Sequence, residues 1–180
     1  MQADPITILT THHLLLRQVE SQDSTAFLNI FADKEVMHYG DGVKDLAWIE
    51  DWIQHTQQHY QQFGYGKWAV IRQADAALLG YCGLEYASDV CGQPEVALGY
   101  RLARAYWGQG YASEAVTATL NYGFSLLGLR RIIATIDPGN VASVRVAQKA
   151  GMVYEQDVIY EGYTHPDHVY TIKSVSIKPL

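Results

Sequence analysis

The stretch EVALGYRLARAYWGQGYASEA, residues Glu95–Ala115, decides how this chain is read. Glu95–Leu102 reads as a strand, and a helical pattern begins near Tyr111 and runs to about Leu127. Between them lies a short loop, Arg104–Gly110, in which Gly108 and Gly110 stand two apart. Two glycines in a tight strand-to-helix turn allow torsions that other residues resist, and they let backbone N–H groups approach a ligand closely. The following helix presents unpaired N-terminal N–H groups and the positive end of its dipole, so the loop suits an anion, with pyrophosphate the natural candidate. A bare G-x-G is also a common helix entry that binds nothing. A Rossmann dinucleotide site fits poorly: Ser113 stands at the third motif position, and Leu127–Arg131, ~20 positions on, offers no carboxylate.

Upstream of this stretch, Lys67–Arg72 and Leu78–Tyr86 read as two further strands, so an antiparallel meander leads into the loop. Before the meander, Ser24–Phe31 has helical spacing, and a second helix begins after Asp45 as N-cap and closes at Phe63-Gly64. The opening residues 6–19 are strand-like with a turn at TTHH. Downstream the period alternates: a strand at Arg131–Ile136, a break at Asp137-Pro138-Gly139, and a helix capped by Asn140 that runs to about Ala150. Gly151 stops that helix, and strands near Val153–Tyr160 and His168–Ser176 follow. Without repeats or linkers, residues 1–180 are expected to form a single mixed α/β domain.

Composition agrees with one core. The chain has 180 residues, 48% hydrophobic and 12% aromatic, enough to bury about 70% of the unfolded surface in one domain. A formal charge of −6 argues against a general nucleic-acid binder. Cys82 and Cys91 are too few for a disulfide scaffold; a bridge across the hairpin is conceivable, and free thiols are expected. No signal peptide is visible in MQADPITIL, and no apolar run approaches the ~20 residues that span a bilayer. The expected setting is the cytoplasm, with no membrane or nucleic-acid partner.

Three separated stretches give the chain a family likeness. THHLLLR (Thr11–Arg17) is similar to the T-x-R-L-x-L-R first strand of the RimJ/RimL-type branch of the GNAT N-acetyltransferases, with His13 in place of the usual Arg. LGYRLARAYWGQGYASEA (Leu98–Ala115) resembles that family's acetyl-CoA loop, and NVASVRVAQKAGM (Asn140–Met152) resembles its N-x-x-S-x-x-V-x-x-K-x-G-F/M segment. The likeness covers roughly residues 7–175. It implies a GNAT fold of the α/β (α+β) class: a mixed, mostly antiparallel sheet, splayed at the cofactor site and flanked by helices.

The resemblance also implies chemistry: transfer of an acetyl group from acetyl-CoA, as co-substrate, to a primary amine in a ternary complex without a metal. By position, the backbone amides of Trp107, Gly108, Gln109, Gly110, Tyr111 and Ala112 hold the CoA pyrophosphate. The backbone of Tyr100, Arg101 and Leu102 pairs with the pantetheine, the Leu102 N–H lying near the thioester carbonyl. Asn140 and Ser143 face the pantetheine and sulfur. Glu95 is the expected general base, acting through a water. Many family members carry a Tyr as acid where this chain has Ala147, so Ser143 or water takes that part here. The implied acceptor is a protein N-terminal α-amine or, alternatively, a small-molecule amine such as a polyamine, amino acid or antibiotic. A non-catalytic CoA-binding module is the reading from another class. A monomer or homodimer is expected.

Other clusters read as structure. His55 and His59 have a metal-compatible spacing but no evident third ligand. His165-Pro166-Asp167-His168 reads as a loop between strands that lines the acceptor entrance. Trp48, Trp52, Trp68, Tyr39 and Tyr65 read mostly as packing residues, with the turn Met37–Gly42 (MHYGDG) a candidate wall of the acceptor pocket.

Overall fold

The computed structural model describes residues 6–160 and 164–174. Among these residues eight strands form one sheet: β1 (Thr7–Thr10), β2 (Leu14–Arg17), β3 (Lys67–Arg72), β4 (Leu78–Val90), β5 (Gln93–Leu102), β6 (Arg131–Ile136), β7 (Val153–Val158) and β8 (Asp167–Lys173). Their spatial order is β1-β2-β3-β4-β5-β6-β8-β7. Four α-helices among the described residues flank the sheet: α1 (Ser24–Phe31), α2 (Leu46–Phe63), α3 (Tyr111–Ser125) and α4 (Val141–Lys149). The expected meander β3-β4-β5 is antiparallel, β2 extends it by a further antiparallel pair, and β5 and β6 are parallel. A parallel pair needs a crossover, and α3 supplies it.

The alternation of strand side chains builds two layers. On one face, Leu98, Leu102, Ile132, Ala134 and Tyr170 pack with Ala115, Val116 and Leu120 of α3 and Ala147 of α4. On the other, Ala69 and Tyr81 pack with Phe27, Ile30 and Phe31 of α1 and Ile49 and Ile53 of α2. Asp45 caps α2 by accepting the Trp48 N–H at 2.9 Å, and Gly64 ends that helix. The last strand was expected to reach Ser176. It ends at Lys173, and residues 175–176 lie outside the described residues.

Two side expectations are settled by packing. Cys82 is buried and Cys91 exposed, and both are free thiols. His59 is no ligand: its Nδ1 meets the Tyr65 carbonyl at 2.7 Å, and its Nε2 accepts the Tyr86 N–H at 3.0 Å. The ring therefore staples the end of α2 to β4. Among the described residues no helix is long and apolar enough to cross a membrane.

Candidate active site

The sheet parts between β5 and β6. Ala97 and Ile133 form the pair that joins them. Beyond that pair β5 runs on to Leu102 and β6 to Ile136 with no further pairing between them among the described residues. On β5 the Ala103 N–H donates to the Leu79 carbonyl of β4 at 2.8 Å. Backbone groups of alternate residues point to opposite sides of a strand, so the N–H groups of Tyr100 and Leu102 face the split. Arg101 does not. Its carbonyl is turned to β4, so close that a Cβ on Gly80 would sit 2.0 Å from it. The expected pairing of the Arg101 backbone with pantetheine is thereby corrected, because β4 already takes it.

The loop after β5 is open where the sequence called for openness. Gly108 and Gly110 have φ of 73° and 89°, and a Cβ on either would meet nothing within 4 Å. Here glycine serves torsion and access, not packing. Among the described residues, no acceptor takes the N–H groups of Gly108, Gln109, Gly110, Tyr111 or Ala112. Five consecutive free donors at the N-terminus of a 15-residue helix fit a pyrophosphate. Trp107 departs from expectation: its backbone N–H is spent on the Arg104 carbonyl at 3.2 Å. Its indole Nε1–H donates to the Leu102 carbonyl at 2.8 Å, folding the loop back onto the strand. The Gln109 side chain likewise serves the loop, donating to the Ala105 carbonyl at 2.8 Å.

A clamp from the start of the chain holds this helix end. Glu114 accepts from the Thr11 hydroxyl at 2.6 Å and the His13 N–H at 2.8 Å, and its other oxygen meets His13 Nδ1 at 2.9 Å. Burial alone would raise the Glu114 carboxyl, but these hydrogen bonds outweigh it and hold it below the usual range. The Thr11–Arg17 motif thus serves to hold the start of α3, a role its sequence does not display.

On the face covered by α3 and α4, one hydroxyl pair bridges the open split. The Tyr100 hydroxyl donates to Ser143 Oγ at 3.0 Å. Asn140 Oδ1 accepts the Ser143 N–H at 3.1 Å, so Asn140 is spent as the cap that positions Ser143. Burial pushes the Tyr100 phenol up to about 12, against the opposing effect of Ser143, so it stays protonated near neutrality. The phenol carries no signal in the sequence, because its partner Ser143 lies 43 residues away on another element.

Glu95 lies elsewhere. It precedes the Ala97 pair, on the closed side of the split, and is 7% exposed. Arg131 Nε reaches its two carboxylate oxygens at 2.9 and 3.1 Å, and Gln93 donates to it at 2.7 Å. The rest of the Arg131 guanidinium grips Glu155 at 3.0 and 2.6 Å. Seven residues of strand, about 23 Å, separate Glu95 from Leu102. The expected base is therefore corrected to a buried ion-pair partner that ties β5 to β6 and β7.

The face opposite Tyr100 and Ser143 carries the side chains of Arg101 on β5 and of Asp137, which follows β6. The Tyr39 hydroxyl donates to the Gly139 carbonyl at 2.9 Å, so the turn between α1 and α2 spans the split on this face. Ligand atoms of Asp137, His165 and Asp167 lie within 4.8 Å of one another, which brings the expected entrance loop to this lip. Neither the Met37–Gly42 turn nor this loop carries a sequence signal for its partner.

A family model described as "Acetyltransferase (GNAT) domain" matches residues 13–153. The uncharacterized protein YkkB of Bacillus subtilis is 37% identical over 169 residues, 93% of this chain and 96% of that one. A crystal structure of an acetyltransferase (GNAT family) from Bacillus anthracis is 30% identical with a TM-score of 0.80, over 94% of this chain and 99% of that one. RimL, a ribosomal L7/L12 alpha-N-protein acetyltransferase solved with coenzyme A, shares the fold at 18% identity. Its TM-score is 0.77 over 93% of this chain and 97% of that one. A sheet split between parallel strands, a donor-lined glycine loop at its end and these likenesses agree: the chain belongs to the GNAT acetyltransferase family.

Proposed function

We propose that this protein transfers the acetyl group of acetyl-CoA to the nitrogen of a primary amine, both substrates being bound together, and that it is of the RimJ/RimL type. The three sequence motifs and the fold shared with RimL support that placement. The observation that carries the reading is the unpaired edge of β5 beyond Ala97, which runs straight into the loop of free N–H donors.

Acetyl-CoA supplies the thioester. The N–H groups of Gly108, Gln109, Gly110, Tyr111 and Ala112 hold its pyrophosphate, and the split-facing edge at Tyr100 and Leu102 holds the pantetheine. The amine nitrogen bonds to the carbonyl carbon, the C–S bond breaks, and the sulfur leaves with the bonding pair. Leu102 N–H is aimed at the carbonyl oxygen, where negative charge develops; one such donor is worth about 3 kcal/mol. Ser143 donates its proton to the leaving sulfur and recovers one from water, while the Tyr100 phenol keeps its own proton and holds the Ser143 oxygen in place by donating to it. The amine's own proton passes to water on the face of Arg101 and Asp137. Holding both reactants in register supplies several kcal/mol more, up to about 7–11 in ideal cases.

The test is a two-substrate kinetic series read by CoA release. Intersecting lines in double-reciprocal plots, with release dependent on added amine, are expected. Parallel lines would contradict direct transfer. Tight acetyl-CoA binding without turnover over a broad panel of amines and peptides would instead establish a binding module.

A further inference from the structure

Four arginines are half-buried among the described residues: Arg17, Arg72, Arg101 and Arg131. Three of them hold carboxylates. Arg17 takes Asp23 with two bonds of 2.7 Å, Arg72 takes Asp75 at 2.9 and 2.7 Å, and Arg131 takes Glu95 and Glu155. Arg101 is the exception. Among the described residues no carboxylate lies within 4.0 Å of its guanidinium, which touches the Met37 sulfur at 2.8 Å and lies over the Phe31 ring, 5.2 Å from its centroid. The nearby acid Asp41 is held by Lys44 at 2.7 Å. A guanidinium carries five N–H donors, and a thioether is a weak acceptor for any of them. The aromatic and thioether contacts orient the group while leaving its fork unsatisfied.

Its position gives that fork a use. Arg101 is four residues past Ala97 on β5, and Asp137 is four residues past Ile133 along the β6 direction. Because Ala97 and Ile133 are paired, Arg101 and the end of β6 stand level on opposite lips. Asp137, in the turn just past β6, is on the Tyr39 face, because a Cβ on Gly139 would lie 3.1 Å from its Oδ1 and 3.3 Å from the Tyr39 ring. The Met37–Gly40 turn that touches Arg101 continues to Tyr39, which bonds to Gly139 beside Asp137. A molecule entering the split from this face passes between a cation and an anion, beneath that turn.

We propose that Arg101 binds a carboxylate of the acceptor, so that the amine acetylated belongs to a free amino acid. This rests on the transferase reading above and narrows its acceptor. The guanidinium fork matches a carboxylate bidentately, and the Asp137 lip tolerates the ammonium pole of the same molecule. The Asp137 carboxylate already accepts the Gly139 N–H at 2.7 Å and lies 3.6 Å from His165 Nε2, so the unmatched charge that the complex satisfies is that of Arg101.

The experiment compares each amino acid of a panel with its own carboxamide, and with short N-terminal peptides blocked as amides, by CoA release. An amide lowers the basicity of a neighbouring amine and leaves more of it neutral, so chemistry alone favours the amide. A preference for the acid of about 10- to 100-fold in kcat/KM is expected for wild type. Arg101→Gln should abolish it by raising KM for the acid while changing the amide little, and Arg101→Lys should restore part of it. Acetyl-CoA affinity, measured by calorimetry on each variant, should hold within about threefold, which separates lost recognition from lost folding. Equal use of acid and amide by wild type, equal loss of both in Arg101→Gln, or better use of the blocked peptides overturns the proposal and leaves the transferase standing. No turnover with any amine overturns both.

Discussion

The two ends of the β5–β6 junction are built in opposite ways. Below the Ala97–Ile133 pair, charged side chains lock the strands together through Glu95, Arg131 and Glu155. Above it, the strands separate, and the Tyr100–Ser143 hydroxyl bridge and the Tyr39–Gly139 bond reach across. The difference teaches how a sheet can hold a permanent opening. The closed end supplies the cohesion, and the open end is left with unsatisfied donors that suit a ligand. Substitutions at the two ends should therefore fail differently, one in binding or turnover and the other in stability.

The largest expected effect lies at the far tip of the open end. Gly110→Val forces a β-branched residue to a φ of 89° and turns the neighbouring N–H groups off target. Acetyl-CoA affinity should fall by about 100-fold in calorimetry, with the melting temperature lowered by only a few degrees. Next comes the hydroxyl bridge. Ser143→Ala should lower kcat by about 10- to 100-fold and Tyr100→Phe by less, with little change in acetyl-CoA affinity. An unchanged kcat in both would remove the bridge from the chemistry.

At the closed end, Glu95→Gln should cost about 1–2 kcal/mol, because it leaves the Arg131 guanidinium short of a carboxylate. For a chain of this size that is a drop of about 2–8 °C in melting temperature. Its kcat should stay within about twofold of wild type. A tenfold loss of kcat with normal stability would return Glu95 to the role of base.

The smallest effect is a pH dependence at the Glu114 clamp. Its carboxyl is held below the usual range in the fold, so the clamp stabilises at pH above the unfolded carboxyl value of about 4.3. That contribution fades as pH falls through the lower folded value. Melting temperature should therefore decline more steeply below pH ~4.5 in wild type than in Glu114→Gln. Superimposable acid profiles would show that Thr11 and His13 do not grip it in solution.

The same contrast explains what could be read before the structure. The phosphate end of the site is made of backbone, and backbone can be aimed only by glycines and a helix start in strict order. Glu95–Ala115 therefore carried the loop, the strand and the helix in one contiguous word. The meander and all four helices were legible for a related reason: each has its own period, and α2 and α4 add side-chain caps at Asp45 and Asn140. Roles that depend on register were not legible. Glu95 and Arg101 share a strand and a parity, yet one is buried in an ion pair and the other faces an open lip, depending on where β6 leaves β5. The backbone direction of Arg101, the indole bond that occupies Trp107 and the Tyr100–Ser143 contact all follow from pairings between distant segments. The acceptor face is the extreme case, since Tyr39, Arg101, Asp137 and Asp167 come from four separate parts of the chain.

The most direct measurement is residue-resolved amide hydrogen exchange with and without acetyl-CoA. If the split and the glycine loop form the cofactor site, the N–H groups of Tyr100, Leu102, Gly108, Gly110 and Ala112 become protected on binding. The Arg101 N–H, already bonded to β4, changes far less. Saturating acetyl-CoA that protects none of these amides, or that protects residues elsewhere, would contradict the assignment of this opening as the place where acetyl-CoA is held.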